Sequence, residues 1–417
     1  MSPDTIQPPP FSQTQPSHGD ESASIHHATL GGGLVSCCAN AAPGETASAL
    51  LERLADAARS SGARAVQGTV FCDPTDAAAK KLSNGGNPAV DFPVACLGRH
   101  DTPRGNVLGA RITALPAGTF ERVTNERGAT CGARWETDTA RYLLLGALVP
   151  RDTHAARDAQ AAALWRALKT HIENAGFTIG DLMRTWFYND RILDWYAGFN
   201  RVRNTFFTEN NIFGTLVPAS TGIGASNAAG AALTADALVI APKNSAAPAA
   251  PTASAAPAPL RIAAVTSPLQ CPAYDYKSAF SRAVECLEPA SDGDGCLRHL
   301  TISGTASIEP GGLTAHVGDL DAQIDLTLRV VAAILESRNM SWSDTARAIL
   351  YFPKIEWMPR WHARRAALGL PELPAIFAHT DICRDDLLFE IELDAVARLR
   401  REIPNPKIPN PNIPNPK

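Results

Sequence analysis

The sequence predicts an α/β protein of the α+β type, built from two fused copies of one unit, each a mixed β-sheet with helices packed on one face. The stretches Gly180–Tyr188 and Ser343–Tyr351 share Asp, Arg and Tyr at a constant offset, and a short turn and an apolar helix follow each. The order of helices and strands is also the same in both halves. A Pro/Ala-rich stretch without core-forming residues, 243–259, separates them. These three observations together indicate an internal repeat.

A chain of 417 residues is too long for one ordinary core, so two domains are expected. The N-terminus is rich in Pro, Gln, Ser and His without the apolar segment of a signal peptide, and the C-terminus repeats Ile-Pro-Asn-Pro, which forbids helix. The predicted division is a disordered leader (1–28), an N-terminal domain (29–242), a linker (243–259), a C-terminal catalytic domain (260–401) and a disordered tail (402–417).

Apolar runs bounded by turn residues predict the strands, and apolar residues at helical spacing predict the helices. In the N-terminal domain the predicted strands are Ala65–Phe71, Ala89–Leu97, Gly109–Leu115, Ala140–Leu148, Leu182–Tyr188 and Ala237–Ala241, and the predicted helices are Asp152–Gly176 and Ile192–Phe207. In the C-terminal domain the predicted strands are His299–Ser303, Thr345–Tyr351 and Leu387–Leu393, and the predicted helices are Asp321–Ser337 and Met358–Leu368.

Composition excludes several classes of function. The formal net charge is −4 with both signs interspersed, which gives no electrostatic case for nucleic acid or an acidic membrane. No apolar run approaches the roughly 20 residues that span a bilayer. The nine cysteines form no CxxC pair and the histidines no HxxxH, so we expect neither disulfides nor a metal, and we expect a reducing cytoplasm.

The closing strand, Leu387–Leu393, carries acids at every second position. Glu390 and Glu392 therefore share one face, and the apolar residues share the other. An acidic face opposite the core means either a solvated edge or a lined cavity, and the pattern alone leaves both open. Cys383 lies seven residues before Glu390, which brings a thiol near the two carboxylates.

Three segments of the C-terminal domain resemble the RidA/YjgF (chorismate-mutase-like) fold. They are Ser278-Ala-Phe-Ser-Arg-Ala-Val284, Ile302-Ser-Gly-Thr-Ala-Ser307 and Phe389-Glu-Ile-Glu-Leu-Asp-Ala395. In the N-terminal domain, Arg203-Asn-Thr-Phe-Phe-Thr-Glu209 is similar to a helix of the same fold. One departure concerns Leu373-Pro-Ala-Ile376, where the imine deaminases of this family have an arginine after Pro-Ala that holds the substrate carboxylate. This departure therefore argues against imine deaminase activity.

A narrower resemblance links the chain to the chorismatases, two-domain RidA-like enzymes that remove pyruvate from chorismate. It rests on Pro218-Ala-Ser-Thr-Gly-Ile-Gly224, Cys271-Pro-Ala-Tyr-Asp-Tyr276 and Ser303-Gly-Thr-Ala-Ser-Ile308. The resemblance implies chorismate as substrate, no cofactor, and 3-hydroxybenzoate and pyruvate as products, with 4-hydroxybenzoate left open as a further product. Because RidA proteins close their sites between subunits of a trimer, both a monomer and a homotrimer remain open.

The site implied by this resemblance has one acid and several clamps. Glu390 is the expected proton donor to the enol ether, which requires burial to raise the pKa of its carboxyl group. Glu392 is the less favoured acid. Arg203, Arg282 and Tyr276 are expected to hold the substrate, and Gly304 to offer backbone donors where a side chain would obstruct.

Cys383 is expected to decide the product. A cysteine at this spacing before the acid goes with intramolecular displacement and a hydroxybenzoate product, and a small inert residue goes with attack by water and a dihydrodiol acid. Two alternatives stay open: the hydrolytic chorismatase, and a non-catalytic RidA-like protein that binds a small acid. For Cys383 and the arginines, ordinary packing and surface ion pairs remain competing interpretations.

Overall fold

A computed structural model describes residues 24–87, 89–243, 260–276, 278–290 and 294–400. The predicted tail, the linker after Lys243 and the first 23 residues of the predicted leader lie outside the described residues. The predicted end of the leader at residue 28 is wrong, because a strand begins at His26 and pairs with the next strand.

The described residues form three six-stranded sheets. The strands are β1 (His26–Thr29), β2 (Val35–Asn40), β3 (Ala63–Cys72), β4 (Val94–Gly98), β5 (Val107–Pro116), β6 (Phe120–Thr124), β7 (Thr130–Glu136), β8 (Ala140–Leu148), β9 (Leu182–Asn189), β10 (Ala219–Ile223), β11 (Ser226–Asn227), β12 (Leu233–Pro242), β13 (Arg261–Val265), β14 (Ala283–Pro289), β15 (Cys296–Ala306), β16 (Thr345–Phe352), β17 (Ala375–His379) and β18 (Glu390–Leu399). The α-helices are α1 (Ala47–Ser60), α2 (Ala77–Ser83), α3 (Arg157–Asn174), α4 (Tyr196–Glu209), α5 (Leu320–Glu336) and α6 (Met358–Ala367).

The second and third sheets have the same topology. Their strand orders are β6-β7-β8-β12-β9-β10 and β13-β14-β15-β18-β16-β17. The first sheet, β1-β2-β5-β3-β4-β11, follows this order over five strands and then adds β11 at one edge. The predicted architecture of fused mixed sheets with helices on one face is confirmed. The segment 29–242, predicted as one unit, contains two such sheets.

Each sheet buries one face under its own pair of helices. The first sheet packs on α1 and α2, the second on α3 and α4, and the third on α5 and α6. The three faces without helices meet in one central core. Most strands are therefore buried on both faces, which explains why long apolar runs rather than clean alternation mark them in the sequence.

The repeated Asp, Arg and Tyr have the same positions in two sheets. Asp181 and Asp344 each complete a capping box on a short 3₁₀ turn just before β9 and β16. Tyr188 and Tyr351 lie in the central core, where each makes an edge-to-face contact with Phe71 of β3, at centroid distances of 6.4 and 6.1 Å. The three rings, one from each sheet, mark a pseudo-threefold centre.

The closing strand differs from its prediction in extent and exposure. It begins at Glu390 rather than at Leu387 and runs to Leu399. Phe389 and Ile391 lie in the helix-side core, as the alternation predicts. The acidic face is not solvated: Glu390 is 4% exposed and Glu392 is fully buried. The interpretation as a solvated edge is therefore wrong.

Two helices begin later than predicted, α3 at Arg157 and α4 at Tyr196, where the 3₁₀ turn Ile192–Asp194 comes first. Among the described residues, none of the helices combines the length and apolarity that crossing a membrane requires.

Candidate active site

A cavity lies where the second and third sheets meet. Its walls come from α4 and β10 on one side, and from the segment 278–282, β15 and the start of β18 on the other. Five predicted site residues line it together: Arg203, Arg282, Gly304, Cys383 and Glu390. The sixth, Tyr276, ends a short 3₁₀ turn, and its side chain lies outside the described part of the structure.

Glu390 is the only carboxyl group among the residues that line this cavity. Burial, and next the nearby charge of Glu392, raise the pKa of Glu390 to about 8, against the opposing effect of Arg184 and Arg282. A carboxyl group with this pKa is mostly protonated at neutral pH. Burial thus meets the condition that the sequence analysis set for a proton donor, and the role of Glu390 as the general acid stays a prediction.

Gly304 makes room for that carboxyl group. It lies in a β-bulge of β15, where the register with β18 shifts between Ile302 and Thr305. A Cβ atom at position 304 would lie 2.0 Å from Oε1 of Glu390, so any side chain there would displace the acid. The expected backbone donor is directed elsewhere, because the N–H of Gly304 donates to Oγ1 of Thr221 at 3.0 Å.

Glu392 occupies a different environment, on the central-core side of the acid. Its carboxylate accepts hydrogen bonds from Nη2 of Arg184 (2.8 Å), Nε1 of Trp186 (2.8 Å) and Nη1 of Arg347 (2.9 Å). Burial acts to raise the pKa of Glu392, but the charges of Arg184, Arg347 and Arg111 outweigh it and the pKa is lowered. Glu392 is thus an ionised partner of the repeated arginines, which leaves Glu390 as the candidate proton donor of the pair.

Two buried arginines flank one aromatic ring in the cavity. Arg203, from α4, and Arg282, which precedes β14, are 2% and 4% exposed. Their guanidinium carbons lie 5.9 and 5.5 Å from the centroid of Phe280. Arg282 is oriented by two hydrogen bonds to the carbonyl of Cys271, from Nε at 3.1 Å and Nη2 at 3.0 Å. The ring keeps the two cations apart, which suits a ligand with two separate anionic groups.

Cys383 closes the cavity beside Glu390. Burial, and next the charge of Glu390, raise the pKa of Cys383 to about 12, so its thiol is neutral at physiological pH. A neutral thiol is a poor nucleophile. The side chain can fill space and make weak hydrogen bonds, and Tyr196 of α4 provides one of these.

The cavity continues outward into a groove. Both are lined by Tyr196, Ser278 and Arg384, and the groove then follows the exposed face of α4. Eight further residues that line the inner cavity were not named as site residues from the sequence: Tyr196, Ser220, Gly222, Ser278, Phe280, Ala306, Ile308 and Arg384. Most of them lie in the motifs quoted above and Arg384 directly follows Cys383, but the motifs alone do not show which of their side chains line a cavity.

Ile376, which stands where the imine deaminases have an arginine, does not line this cavity. Ile376 is fully buried in β17, and its Cβ lies 3.0 Å from where a Cβ on Gly109 of the first sheet would be. It thus fills the contact between the first and third sheets. Beside the Glu390 cavity the residue after Pro218-Ala219 is Ser220, which also supplies no cation.

Only one of the three sheets carries an acid at this position. The residues paired with Tyr351, Tyr188 and Phe71 at the centre are Glu390, Thr234 and Gly109. The first and second sheets have a glycine and a threonine there, so the carboxyl group is specific to the third sheet. Across the described ranges, no cluster of three or more His, Cys, Asp or Glu side chains is placed to hold a metal ion.

Comparison with solved structures identifies the class of fold. A chorismatase crystal structure superposes with a TM-score of 0.58 at 20% sequence identity, covering 79% of this chain and 92% of that chain. At this identity the likeness shows the fold, and the predicted fold resemblance is confirmed. The crystal structure of the YjgF gene product of E. coli covers 32% of this chain and 98% of that chain at 17% identity, with a TM-score of 0.25.

Comparison with curated proteins finds a similarity over a shorter part of the chain. A 3-hydroxybenzoate synthase of Streptomyces hygroscopicus is 31% identical over 144 residues, which are 31% of this chain and 42% of that protein. The match thus spans less than half the length of that relative. No family model matches the sequence. The predicted resemblance to the chorismatases of the 3-hydroxybenzoate-forming type is confirmed as a similarity in sequence and in fold.

Proposed function

We propose that this protein is a chorismatase that converts chorismate to 3-hydroxybenzoate and pyruvate, with 4-hydroxybenzoate as a second product to be tested. One observation carries the proposal: a buried carboxyl group, Glu390, lines a cavity together with two buried arginines, and burial raises the pKa of Glu390 to about 8. The similarity to a chorismatase structure and to a 3-hydroxybenzoate synthase supports the choice of substrate.

The chemistry starts with proton transfer from Glu390 to the terminal methylene of the enolpyruvyl ether. This step leaves an oxocarbenium ion on the side chain of the substrate and a carboxylate on Glu390. The neighbouring ring hydroxyl then attacks the ring carbon that bears the ether and returns its proton to the carboxylate of Glu390, which forms an arene oxide. The bond between that ring carbon and the ether oxygen breaks, and this oxygen leaves as the keto oxygen of pyruvate. Opening of the arene oxide with loss of a ring proton gives the hydroxybenzoate. Hydroxybenzoate and pyruvate together contain all the atoms of chorismate, so this channel consumes no water.

The two arginines supply positive charge for the carboxylates of the substrate. Chorismate carries two carboxylates, and a buried carboxylate without a partner is costly. Arg203 lies on α4, which packs on the second sheet, and Arg282 lies just before β14 of the third sheet, so each could pair with one of the carboxylates. Tyr276 remains a predicted further contact. We propose that the neutral Cys383 excludes the water molecule that would otherwise capture the oxocarbenium ion.

The test is incubation with chorismate in water labelled with oxygen-18. Pyruvate is trapped at once by lactate dehydrogenase, and the aromatic products are separated by chromatography. The proposed channel predicts a hydroxybenzoate and lactate without label from the solvent. A dihydrodiol acid with label in the lactate identifies the hydrolytic chorismatase. Absence of pyruvate would favour a protein that binds a small acid without turning it over.

The proposed location is a reducing cytoplasm. All nine cysteines are free thiols, and most of them are buried in the sheets. This usage is typical of proteins that keep their thiols reduced.

A further inference from the structure

Thr221 belongs to a motif that the proposed mechanism leaves unexplained. In β10, Ser220 and Gly222 face the cavity. Because side chains alternate along a strand, Thr221 points the other way, into the central core, where it is 1% exposed. It is therefore not a substrate contact.

The hydroxyl group of Thr221 is fully engaged. Its Oγ1 accepts from Nη2 of Arg184 at 2.6 Å and from the N–H of Gly304 at 3.0 Å. Its own proton is donated to the carboxylate of Glu392. A hydroxyl has one donor and two acceptor positions, so all of them are used.

These contacts hold the bulge that supports the acid. The neighbouring residue of the bulge, Ser303, is held in the same way, because its Oγ accepts from the N–H of Ser220 at 2.9 Å and donates to the carbonyl of Ser281 at 2.6 Å. Two successive residues of the second sheet thus hold two successive residues of the third. Gly304 lies directly against the carboxyl group of Glu390, so a shift of the bulge moves the space that the acid occupies.

We propose that Thr221 is a positioning residue for Glu390, acting through the bulge at Gly304 without touching the substrate. This inference rests on the proposed function. The charged and titratable groups around the acid are Glu392 on the same strand, Arg184 on β9, Arg282 just before β14, Arg203 on α4, and Cys383 and Arg384 just before β18. Removing the hydroxyl group leaves the N–H of Gly304 without its acceptor and loosens Arg184, both of which border this environment.

The test compares Thr221→Val, which keeps the shape, with Thr221→Ser, which keeps the hydroxyl. Because a misplacement of about 1 Å can cost roughly 10²-fold in rate, we expect Thr221→Val to lose about that factor in kcat with little change in KM. Thr221→Ser should stay close to the wild type. We also expect the pH profile of kcat to move in the Val variant and to be unchanged in the Ser variant.

A matched control is Thr137→Val. Thr137 also has a hydroxyl that accepts a backbone N–H, from Ala140 at 3.0 Å, and donates to a glutamate, Glu288, at 2.6 Å, but it lies outside the cavity. It should leave kcat unchanged. Wild-type activity in Thr221→Val, a Ser variant as slow as the Val variant, or an equal loss in the control would each overturn the proposal.

Two further measurements keep the proposal testable under other outcomes. If Thr221→Val does not fold, Ser303→Ala loosens the same bulge and must lower kcat without raising KM; an unchanged kcat overturns the proposal. If the wild type releases no pyruvate, the proposed function fails on its own. In that case the infrared carboxyl band of Glu390, assigned by difference against Glu390→Gln, tests whether Thr221 positions the acid. A shift of this band in the Thr221→Val variant supports the proposal, and an unchanged band overturns it.

Discussion

Glu390 and Glu392 lie two residues apart on one face of β18, and their surroundings move the pKa values of their carboxyl groups in opposite directions. Glu392 meets the two repeated arginines and a tryptophan N–H and stays ionised. Glu390 meets an enclosed cavity and the charge of Glu392, and holds its proton. The ionised acid thus helps to keep the other one protonated, a division that suits acid catalysis.

Glu390→Gln should bind chorismate but lose most turnover. The amide keeps the shape and can hydrogen-bond, but it has no acidic proton, and general acid catalysis contributes roughly 10²–10⁴-fold. Release of pyruvate is measured together with affinity by calorimetry. Near-native pyruvate release would remove Glu390 from the mechanism.

Glu390→Gln should also gain stability relative to the wild type as the pH rises. The pKa of Glu390 is raised from 4.5 to about 8 in the folded protein, so folding between these pH values requires uptake of a proton. The wild type therefore loses about 1.4 kcal/mol per pH unit from this group, on the order of 3 kcal/mol by pH 7, and Gln does not. Chemical denaturation at several pH values measures the difference. The exposed control Glu356→Gln should show no such trend, and parallel curves for Glu390→Gln and wild type would contradict the raised pKa.

Alanine at Arg203 or Arg282 should weaken chorismate binding. If each guanidinium pairs with a buried carboxylate, the loss is about 2–5 kcal/mol, because the substrate charge is left without a partner. Lysine variants should recover part of it through charge alone. Calorimetric titration measures the affinity, with the exposed Arg166→Ala as the control. Unchanged affinity in both alanine variants would make these arginines structural.

Gly304→Ala should fold but lose activity. The added Cβ would lie 2.0 Å from Oε1 of Glu390, so the carboxyl group must move. The control is Gly311→Ala, where a Cβ meets nothing within 4 Å. Thermal unfolding checks the fold of both, and kcat separates them. Full activity of Gly304→Ala would mean that the position of the acid is not critical.

Cys383→Ala should still release pyruvate but shift the product toward the dihydrodiol acid. Its neutral thiol occupies space beside the acid, and its removal opens room of about one water molecule. Chromatography of the products, with solvent label in the trapped lactate, measures the shift. A wild-type product ratio in this variant would reduce Cys383 to a packing residue.

The repeat was visible in the sequence where its chemistry was kept. Arg184 and Arg347 have the same role in space, since both bind Glu392, and so they stand out at a constant offset. The first sheet has Gln67 and Phe71 at the positions of Arg and Tyr, and its copy of the motif was therefore hidden. Position in the fold was preserved there while residue type was not.

The residues that line the cavity were predictable in part. Glu390 and Gly304 belong to strands with clear local patterns, and family resemblance supplied Arg203 and Arg282. Phe280 and Thr221 were not predictable as functional residues, because what they do depends on contacts between sheets that lie far apart in the chain. The opposite pKa shifts of Glu390 and Glu392 likewise depend on Arg184, about 200 residues away in the chain. Alternation along one strand does not reveal such a contact.

Covalent linkage of the three sheets has a consequence for how the protein can change. In an assembly of identical subunits, one mutation alters every cleft at once. Here the place that Glu390 holds in the third sheet is held by Thr234 in the second sheet and by Gly109 in the first, so each of the three places can change by itself. The residues at the other two places can therefore change without altering the acid itself, although residues of the second sheet still border its cavity. Asymmetry of this kind lets a single centre specialise, whereas in an assembly of identical subunits every equivalent place must carry the same residue.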